Sequence, residues 1–508
     1  MRFSAAVPYR GAERDHCSFM KRTFDVNEIA AAAKRLLGFE HLRSGQEEAI
    51  RSLLEGRDTV LVAPTGSGKS AVYQIAGSLL KGTTVIVSPL LALQKDQAES
   101  IEASRLADPA VVNSTLSASE QRHELQRIED GDAEFLFLAP EQFHREEIKE
   151  RLKAAQVALF AVDEAHCVSQ WGHDFRPDYL ELAGAIEALG RPVTLAMTAT
   201  ASNEVRSEMV ERLRLRDPKV IVRGFDRPNI SLRVDSFARE PEKLEAVMRR
   251  VGFADKPGIV YVATHHHAES LAAELKDRGV EALAYHGGMK SKDRDSIQDR
   301  FMSGEVPVIV ATNAFGMGVD KPDIRFVYHA DVSESLDGYY QEIGRAGRDG
   351  QPAEAVLFYR TRDIAAQRYK TGAGKVDPQQ LESVANVLAS PDKTKTSEDV
   401  SRETGISARK LTNILHKFEE AGAARKLASG QIRLESEQSA AEMAEAARRQ
   451  QESLKEQRIR RLEQMREYAE TRGCRREFLM RYFGDDYTGP CGNCDRCEAA
   501  GALQARRA

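Results

Sequence analysis

The stretch Leu159-Phe160-Ala161-Val162-Asp163-Glu164-Ala165-His166-Cys167, continued by Gln170-Trp171-Gly172-His173-Asp174-Phe175-Arg176-Pro177, decides how the rest of the chain is read. An apolar run ends abruptly in two carboxylates. Such a run marks a strand buried on both faces of a parallel sheet. Ligands of open parallel sheets lie beyond the carboxyl ends of the strands, where Asp163 and Glu164 emerge. The pair suits a metal-bound nucleotide, with Asp163 holding Mg²⁺ and Glu164 polarising an attacking water. The loop that follows offers Trp171, His173, Phe175 and Arg176 among Gly, Asp and Gln, with almost no aliphatic filler.

Upstream, Thr59 to Val62 reads as a strand running into Ala63-Pro64-Thr65-Gly66-Ser67-Gly68-Lys69-Ser70 and then a helix. This is a phosphate loop of the Walker type, with Ala63 where the first glycine usually stands. Thr65, Gly66, Ser67 and Gly68 let backbone N–H groups turn onto phosphate oxygens, Lys69 neutralises the β/γ charge, and the Ser70 hydroxyl ligates Mg²⁺. Strands at Thr84–Val87, Phe135–Leu138 and Val193–Ala196 share the rim, the last followed by Met197-Thr198-Ala199-Thr200-Ala201, whose hydroxyls are placed to bridge towards a second domain. Further upstream, Asn27–Leu37 has helical spacing closed by Gly38, and Gln46 opens a second amphipathic helix. The Gln46 amide has the two-sided chemistry that adenine presents.

Downstream, Gly224-Phe225-Asp226-Arg227-Pro228-Asn229 reads as a linker, after which strand–helix alternation restarts without a second Walker lysine. Strands at Gly258–Val262 and Val306–Val310 end at Thr264 and at Thr312-Asn313. Gln341-Glu342-Ile343-Gly344-Arg345-Ala346-Gly347-Arg348-Asp349-Gly350 places two arginines three apart, which on a helix would share a face. Arginines so placed across a cleft can stabilise charge on a transferring phosphoryl group.

The last third changes character. Helices at 377–388, 396–403 and 407–420, with a hairpin of 424–426 and 431–434, read as a winged-helix-like segment. Residues 436–472 read as one long, charged, solvated helix. Cys474, Cys491, Cys494 and Cys497 have the C-x16-C-x2-C-x2-C spacing of a closed, structural Zn²⁺ site. Arg475, Arg476 and Arg481 make that module a candidate DNA-backbone surface. Six cysteines with four crowded at one end favour a metal site in a reducing compartment over a disulfide framework. A net charge of -5 excludes a bulk polycation, so any nucleic-acid site must be a local groove. No apolar run is long enough to span a bilayer, and residues 1–22 carry scattered charge rather than a signal-peptide core. A cytoplasmic, nucleoid-associated protein without membrane contact is expected.

Together, Thr65-to-Ser70, Asp163-Glu164-Ala165-His166, Met197-Thr198-Ala199-Thr200 and Gln341-to-Arg348 resemble the superfamily two helicases. Gly38-Phe39, Arg43 and Gln46, the loop Trp171-to-Pro177, and Ala314-to-Pro322 narrow the resemblance to the RecQ family of DNA helicases. The resemblance implies an ATP-dependent DNA helicase of α/β class, working 3′-to-5′ on single-stranded and forked DNA in repair or recombination, with ATP, Mg²⁺ and Zn²⁺. It implies two tandem RecA-like parallel-sheet motor domains at 24–222 and 223–372, behind a tail at 1–23. The winged-helix-like segment (373–436), the charged helix (437–472), the zinc module (473–500) and a tail (501–508) follow. By the same resemblance Phe39, Arg43 and Gln46 contact adenine, with Leu42 where an aromatic is usual. Lys69, Asp163, Glu164, Arg345 and Arg348 carry hydrolysis. Trp171, His173, Phe175, Arg176, Thr264, Thr312 and Asn313 track single-stranded DNA, where stacking on aromatics is worth about 1–3 kcal/mol per base. The chain departs from the family in order: the winged segment precedes the zinc module, and nothing after Cys497 is long enough for a further helical DNA-binding domain. Rival expectations are a translocase or annealing remodeller, an RNA helicase, or a nucleotide-sensing regulator that binds DNA through the helix-turn-helix.

Overall fold

The computed structural model describes residues 25–43, 45–64, 66–89, 91–103, 108–169, 175–316, 319, 321–372, 376–390, 395–426, 430–434 and 439–505. Thr65, Trp171 and His173 lie outside them, as do the N-terminal residues 1–24.

Seven strands build the first sheet: β1 (Thr59–Val62), β2 (Thr83–Val87), β3 (Ala110–Val112), β4 (Phe135–Leu138), β5 (Val157–Val162), β6 (Val193–Thr198) and β7 (Lys219–Val222), in the order β3-β4-β2-β5-β6-β1-β7. Every pairing is parallel. Strands β1, β2 and β4 are buried along their whole length, as their Val-, Ile-, Leu- and Phe-rich composition requires. A second, six-stranded parallel sheet follows: β8 (Ile230–Ser236), β9 (Gly258–Tyr261), β10 (Ala282–Tyr285), β11 (Val308–Ala311), β12 (Phe326–His329) and β13 (Ala353–Tyr359), in the order β10-β11-β9-β12-β13-β8. Both sheets carry helices on their faces, so the carboxyl rims are where loops and ligands belong.

A small antiparallel sheet of β14 (Lys395–Thr396), β15 (Ala424–Lys426) and β16 (Gln431–Leu434), ordered β14-β16-β15, packs with helices Pro378–Leu388, Ser397–Thr404 and Ala408–Glu420. This is the expected winged segment, with one strand where the sequence reading began a helix. Thr396 caps the following helix instead, in a reciprocal capping box with Asp399.

Ala440–Glu470 is one helix, as read, but it is not a solvated rod. Met443, Ala444 and Ala447 enter the core of the winged segment. Met465, Tyr468 and Ala469 enter the core under the second sheet. The apolar stripe is narrow and partly alanine, so the charged background concealed it. Among the described residues no helix is long and apolar enough to cross a membrane.

Candidate active site and nucleic-acid interface

The phosphate loop follows β1 and ends in the helix Lys69–Leu79. Gly66 and Gly68 both have positive φ, +78° and +81°, the left-handed region that a side chain strains. A Cβ on Gly68 would also stand 2.7 Å from Gln46 Nε2. Gln46 and Arg43 brace the loop: the Gln46 amide donates to the carbonyls of Ser67 (3.2 Å) and Gly68 (2.9 Å), and Arg43 Nη1 donates to Gly66 O at 2.5 Å. Gln46 Oε1 accepts from Arg43 N at 2.7 Å. Both ends of the amide read as an adenine contact are therefore engaged with the protein. Phe39 is 38% exposed. Ser67 Oγ is buried without a hydrogen bond, an orphan that a phosphate oxygen would satisfy.

Lys69 Nζ donates to the carbonyls of Ala63 (2.8 Å) and Pro64 (3.2 Å). Burial pushes the ammonium pKa down, while Glu164 and Asp163 hold it up. Asp163 is 6% exposed; burial and the charge of Glu164 push its carboxyl up to about 7, against the pull of Lys69. Crowded, buried carboxylates beside a hydroxyl-bearing Ser70 are the donor set a hard divalent cation takes, so these residues fit Mg²⁺.

Glu164 has φ +46° and ψ +43°, a left-handed conformation rare for a side chain with a Cβ. Strain of this kind collects at sites where geometry matters. Its Oε2 lies 3.3 Å from His166 Nδ1, which is also 2.8 Å from Thr198 Oγ1. Thr198 in turn donates to Thr200 O at 3.0 Å. The Thr198 hydroxyl thus ties the turn after β5 to the end of β6 within the first lobe rather than bridging outward, and the Thr200 hydroxyl is buried without a hydrogen bond.

From the aromatic-rich loop, Phe175 and Arg176 are described and half-buried. Arg176 N donates to Cys167 O at 2.9 Å. Three residues on, Tyr179 is fully buried and its hydroxyl donates to the backbone carbonyl of Asp163 at 2.9 Å. The loop's exit is thus bonded to the carboxylate pair. The sequence reading missed Tyr179; the only signal was an aromatic just beyond Pro177.

In the second lobe, Arg345 and Arg348 do not share a helix face. The helix Leu336–Ile343 ends before them, and Gly347 turns the chain with φ +55°. Arg345 is buried against Gly316, while Arg348 reaches across the cleft, its Cδ 3.9 Å from where a Cβ on Gly66 would lie. Thr264, exposed after β9, caps the helix His265–Asp277. Thr312, buried, and Asn313, exposed, follow neighbouring β11, so all three lie on one rim.

The four sulfur atoms of Cys474, Cys491, Cys494 and Cys497 lie within 4.8 Å of one another, and Cys491 and Cys497 are 3.9 Å apart. Tetrahedral Zn²⁺ with bonds near 2.3 Å sets sulfurs about 3.8 Å apart, so the cluster fits zinc and is far too open for a disulfide. The module docks on β8: Leu232 N donates to Asn493 O at 3.3 Å and Asn493 Nδ2 to Pro228 O at 2.9 Å. Arg475 and Arg476 are buried, not a DNA surface. Arg475 binds Asp495 and the carbonyl of Tyr468; Arg476 binds Asp226 and the carbonyl of Ile230. Arg481 stays exposed, paired with Glu477.

Residues 43–208 match the DEAD/DEAH box helicase family, 242–350 the helicase conserved C-terminal domain, and 433–498 the RecQ zinc-binding family. The chain is 36% identical over 479 residues to the probable ATP-dependent DNA helicase RecS of Bacillus subtilis, covering 94% of this chain and 92% of that one. The chain belongs to the RecQ family of ATP-dependent DNA helicases. It is 34% identical to the ATP-dependent DNA helicase RecQ of Pasteurella multocida, over 94% of this chain but 64% of that one. This RecQ-family chain also shares its fold, at TM-score 0.55 and 17% identity, with the DUF1998 helicase MrfA bound to DNA and AMPPNP, covering 83% of this chain and 63% of that one.

Proposed function

We propose that this RecQ-family helicase couples ATP hydrolysis to translocation on single-stranded DNA and to unwinding of forked duplexes, 3′-to-5′, in bacterial DNA repair or recombination, in the cytoplasm beside the nucleoid. Thr65 to Ser70 hold the phosphates, Lys69 neutralises them, and Phe39, Arg43 and Gln46 flank the base. Asp163 and Ser70 hold the metal, and Glu164 takes the proton of the attacking water. Mg²⁺, when bound, supplies charge neutralisation on the phosphates. Arg348, and Arg345 behind it, oppose charge developing on the γ-phosphate as the lobes close. Trp171, His173, Phe175, Arg176, Thr264, Thr312 and Asn313 lie along the DNA track. Cys474, Cys491, Cys494 and Cys497 would hold Zn²⁺, which would brace the module that Asn493 docks on β8.

The hydrogen bond from Tyr179 to the Asp163 carbonyl carries this reading, because it ties the strand-sensing loop to the hydrolytic pair. One observation favours a second reading, a translocase or annealing remodeller: Arg425, on edge strand β15, is already bonded to Glu181 of the first lobe. A strand-displacement assay on 3′-tailed, 5′-tailed and forked duplexes, with an RNA control, decides. Unwinding of 3′-tailed DNA alone supports the helicase; DNA-stimulated ATPase without displacement favours the remodeller.

A further inference from the structure

The segment between the lobes reads as a plain linker in sequence, yet it is gripped along its length. Arg223 N donates to Val62 O at 3.0 Å, and a Cβ on Gly224 would sit 3.5 Å from Pro64 Cδ, so the segment starts against the phosphate loop. Phe225 is fully buried and stacks on Phe483 of the zinc module, centroids 4.6 Å apart and planes at 5°. Arg476 holds Asp226. Arg227 then donates to three backbone carbonyls of the turn that carries the two arginines: Nη1 to Gly344 O (3.0 Å), Nη2 to Ala346 O (2.8 Å) and to Gly347 O (2.9 Å). Asn229 Nδ2 adds bonds to Gly347 O (2.8 Å) and Gln351 O (2.9 Å). A Cβ on Gly347 would stand 2.5 Å from that nitrogen, so the turn and the strap are shaped to each other.

From this geometry we infer that Arg227 is a positioning residue, which fixes the Arg345–Arg348 turn to the phosphate loop through the interlobe strap and so sets the hydrolytic rate rather than nucleotide affinity. The inference rests on the proposed role of Arg348 at the γ-phosphate. The planar fork is what the site requires: it reaches three carbonyls that converge from one turn, which an ammonium cannot span. The turn has other supports within its own lobe, Gly347 N to Ile324 O (2.8 Å) and Arg325 to Asp349 (2.7 Å). Those hold its shape; Arg227, with Asn229 beside it, links it to a segment that begins at the phosphate loop, and Arg227 makes three of the five strap-to-turn bonds. Displacing a charged group by about 1 Å at such a site costs up to about 10²-fold in rate.

The test compares Arg227→Ala, Arg227→Lys, Arg348→Ala and the Arg227→Ala/Arg348→Ala double variant in the full zinc-loaded chain. DNA-stimulated kcat, KM for ATP and affinity for a fluorescent ATP analogue are measured. Expected is a fall in kcat of about 10²-fold in both Arg227 variants, with KM and analogue affinity within about twofold. In single-turnover runs Arg227→Ala costs far less in the Arg348→Ala background than in the parent, because a misplaced turn cannot harm a missing arginine and only Arg345 remains to be displaced. Arg227→Lys keeps charge and stem, so it carries the test if the alanine variant melts early. Independent, multiplicative losses in the double variant, a raised KM with unchanged kcat, or kcat within twofold of the parent would overturn the positioning role. Full turnover in Arg348→Ala would instead remove the finger reading beneath it.

Discussion

Replacing Tyr179 with Phe deletes one oxygen atom and tests the link between DNA sensing and hydrolysis. The ring is fully buried, so the packing stays. What goes is the 2.9 Å bond to the Asp163 carbonyl. Burial holds the phenol pKa well above its usual value, with the neighbouring Cys167, Asp163 and Glu164 side chains acting the same way, so the hydroxyl is a proton donor throughout the working range. A buried hydrogen bond is worth about 0.5–1.5 kcal/mol net, and an orphaned carbonyl costs about 1–3 kcal/mol. If about 1–2 kcal/mol of that acts on the DNA-stimulated barrier, stimulated turnover falls roughly 5- to 30-fold. The assay is steady-state ATPase with and without saturating oligothymidylate, beside thermal melting. Tyr179→Phe should lower stimulated turnover more than basal turnover, with melting down by a few degrees, at about 2–4 °C per kcal/mol. Equal loss of both rates, or full stimulation in a variant that melts earlier, would refute the coupling and leave Tyr179 a packing residue.

Three further outcomes are expected. Glu164→Gln keeps nucleotide binding by fluorescence titration but loses DNA-stimulated hydrolysis, by about 10²- to 10⁴-fold for removal of a general base; retained turnover would contradict its action on the water. Cys491→Ser removes bound zinc by metal analysis and lowers the melting temperature, because metal binding is part of the module's folding energy; a folded, metal-free parent protein would dismiss the site. Trp171→Ala lowers DNA stimulation more than basal turnover and weakens single-strand binding by about 1–3 kcal/mol, measured by anisotropy; an equal loss of both rates would assign the Trp a structural part.

What the sequence made legible is what repeats locally. Apolar runs ending in Asp163-Glu164 and in Thr312-Asn313 gave buried parallel strands and their rims. Cysteine spacing gave the zinc cluster, and Gly66 and Gly68 gave the phosphate loop. What it hid depends on contacts between distant residues. Arg476 looks like a surface cation in sequence, but its partners Asp226 and Ile230 lie 250 and 246 positions away. No periodicity announces that an arginine is buried. Arg227 belongs to the same class: its fork matters only because the chain returns more than a hundred residues later to offer three carbonyls. Helix phase misled at Arg345 and Arg348, because the helix ends at Ile343 and Gly347 turns the chain between them.

The contacts also differ in strength from one seam to another. Between the second lobe and the long helix with its zinc module they are deep: Tyr339 and Tyr468 pack at 5.2 Å, Tyr482 bonds buried Asp337, and Arg475 is wholly enclosed. The first lobe's buried apolar residues belong to the same cluster as those of the second lobe and zinc module, and polar ties cross the seam nearer the surface. Arg206 reaches Phe483 O at 2.8 Å, and Arg425 pairs with Glu181, the two side chains about a third exposed. Partly exposed ion pairs are worth about 0–1 kcal/mol, whereas each buried aromatic in the other seam carries several times that in area alone. The second lobe, long helix and zinc module are therefore held to one another by contacts stronger than the polar ties that Arg206 and Arg425 make across the seam to the first lobe. Tyr179 and Arg227 stand on its two sides. A motor that must open and close at its nucleotide cleft needs a weak seam, but it also needs the arginine turn to return to the same place each time. Weak ties at the surface allow the first; the clamped strap between Gly224 and Asn229 supplies the second.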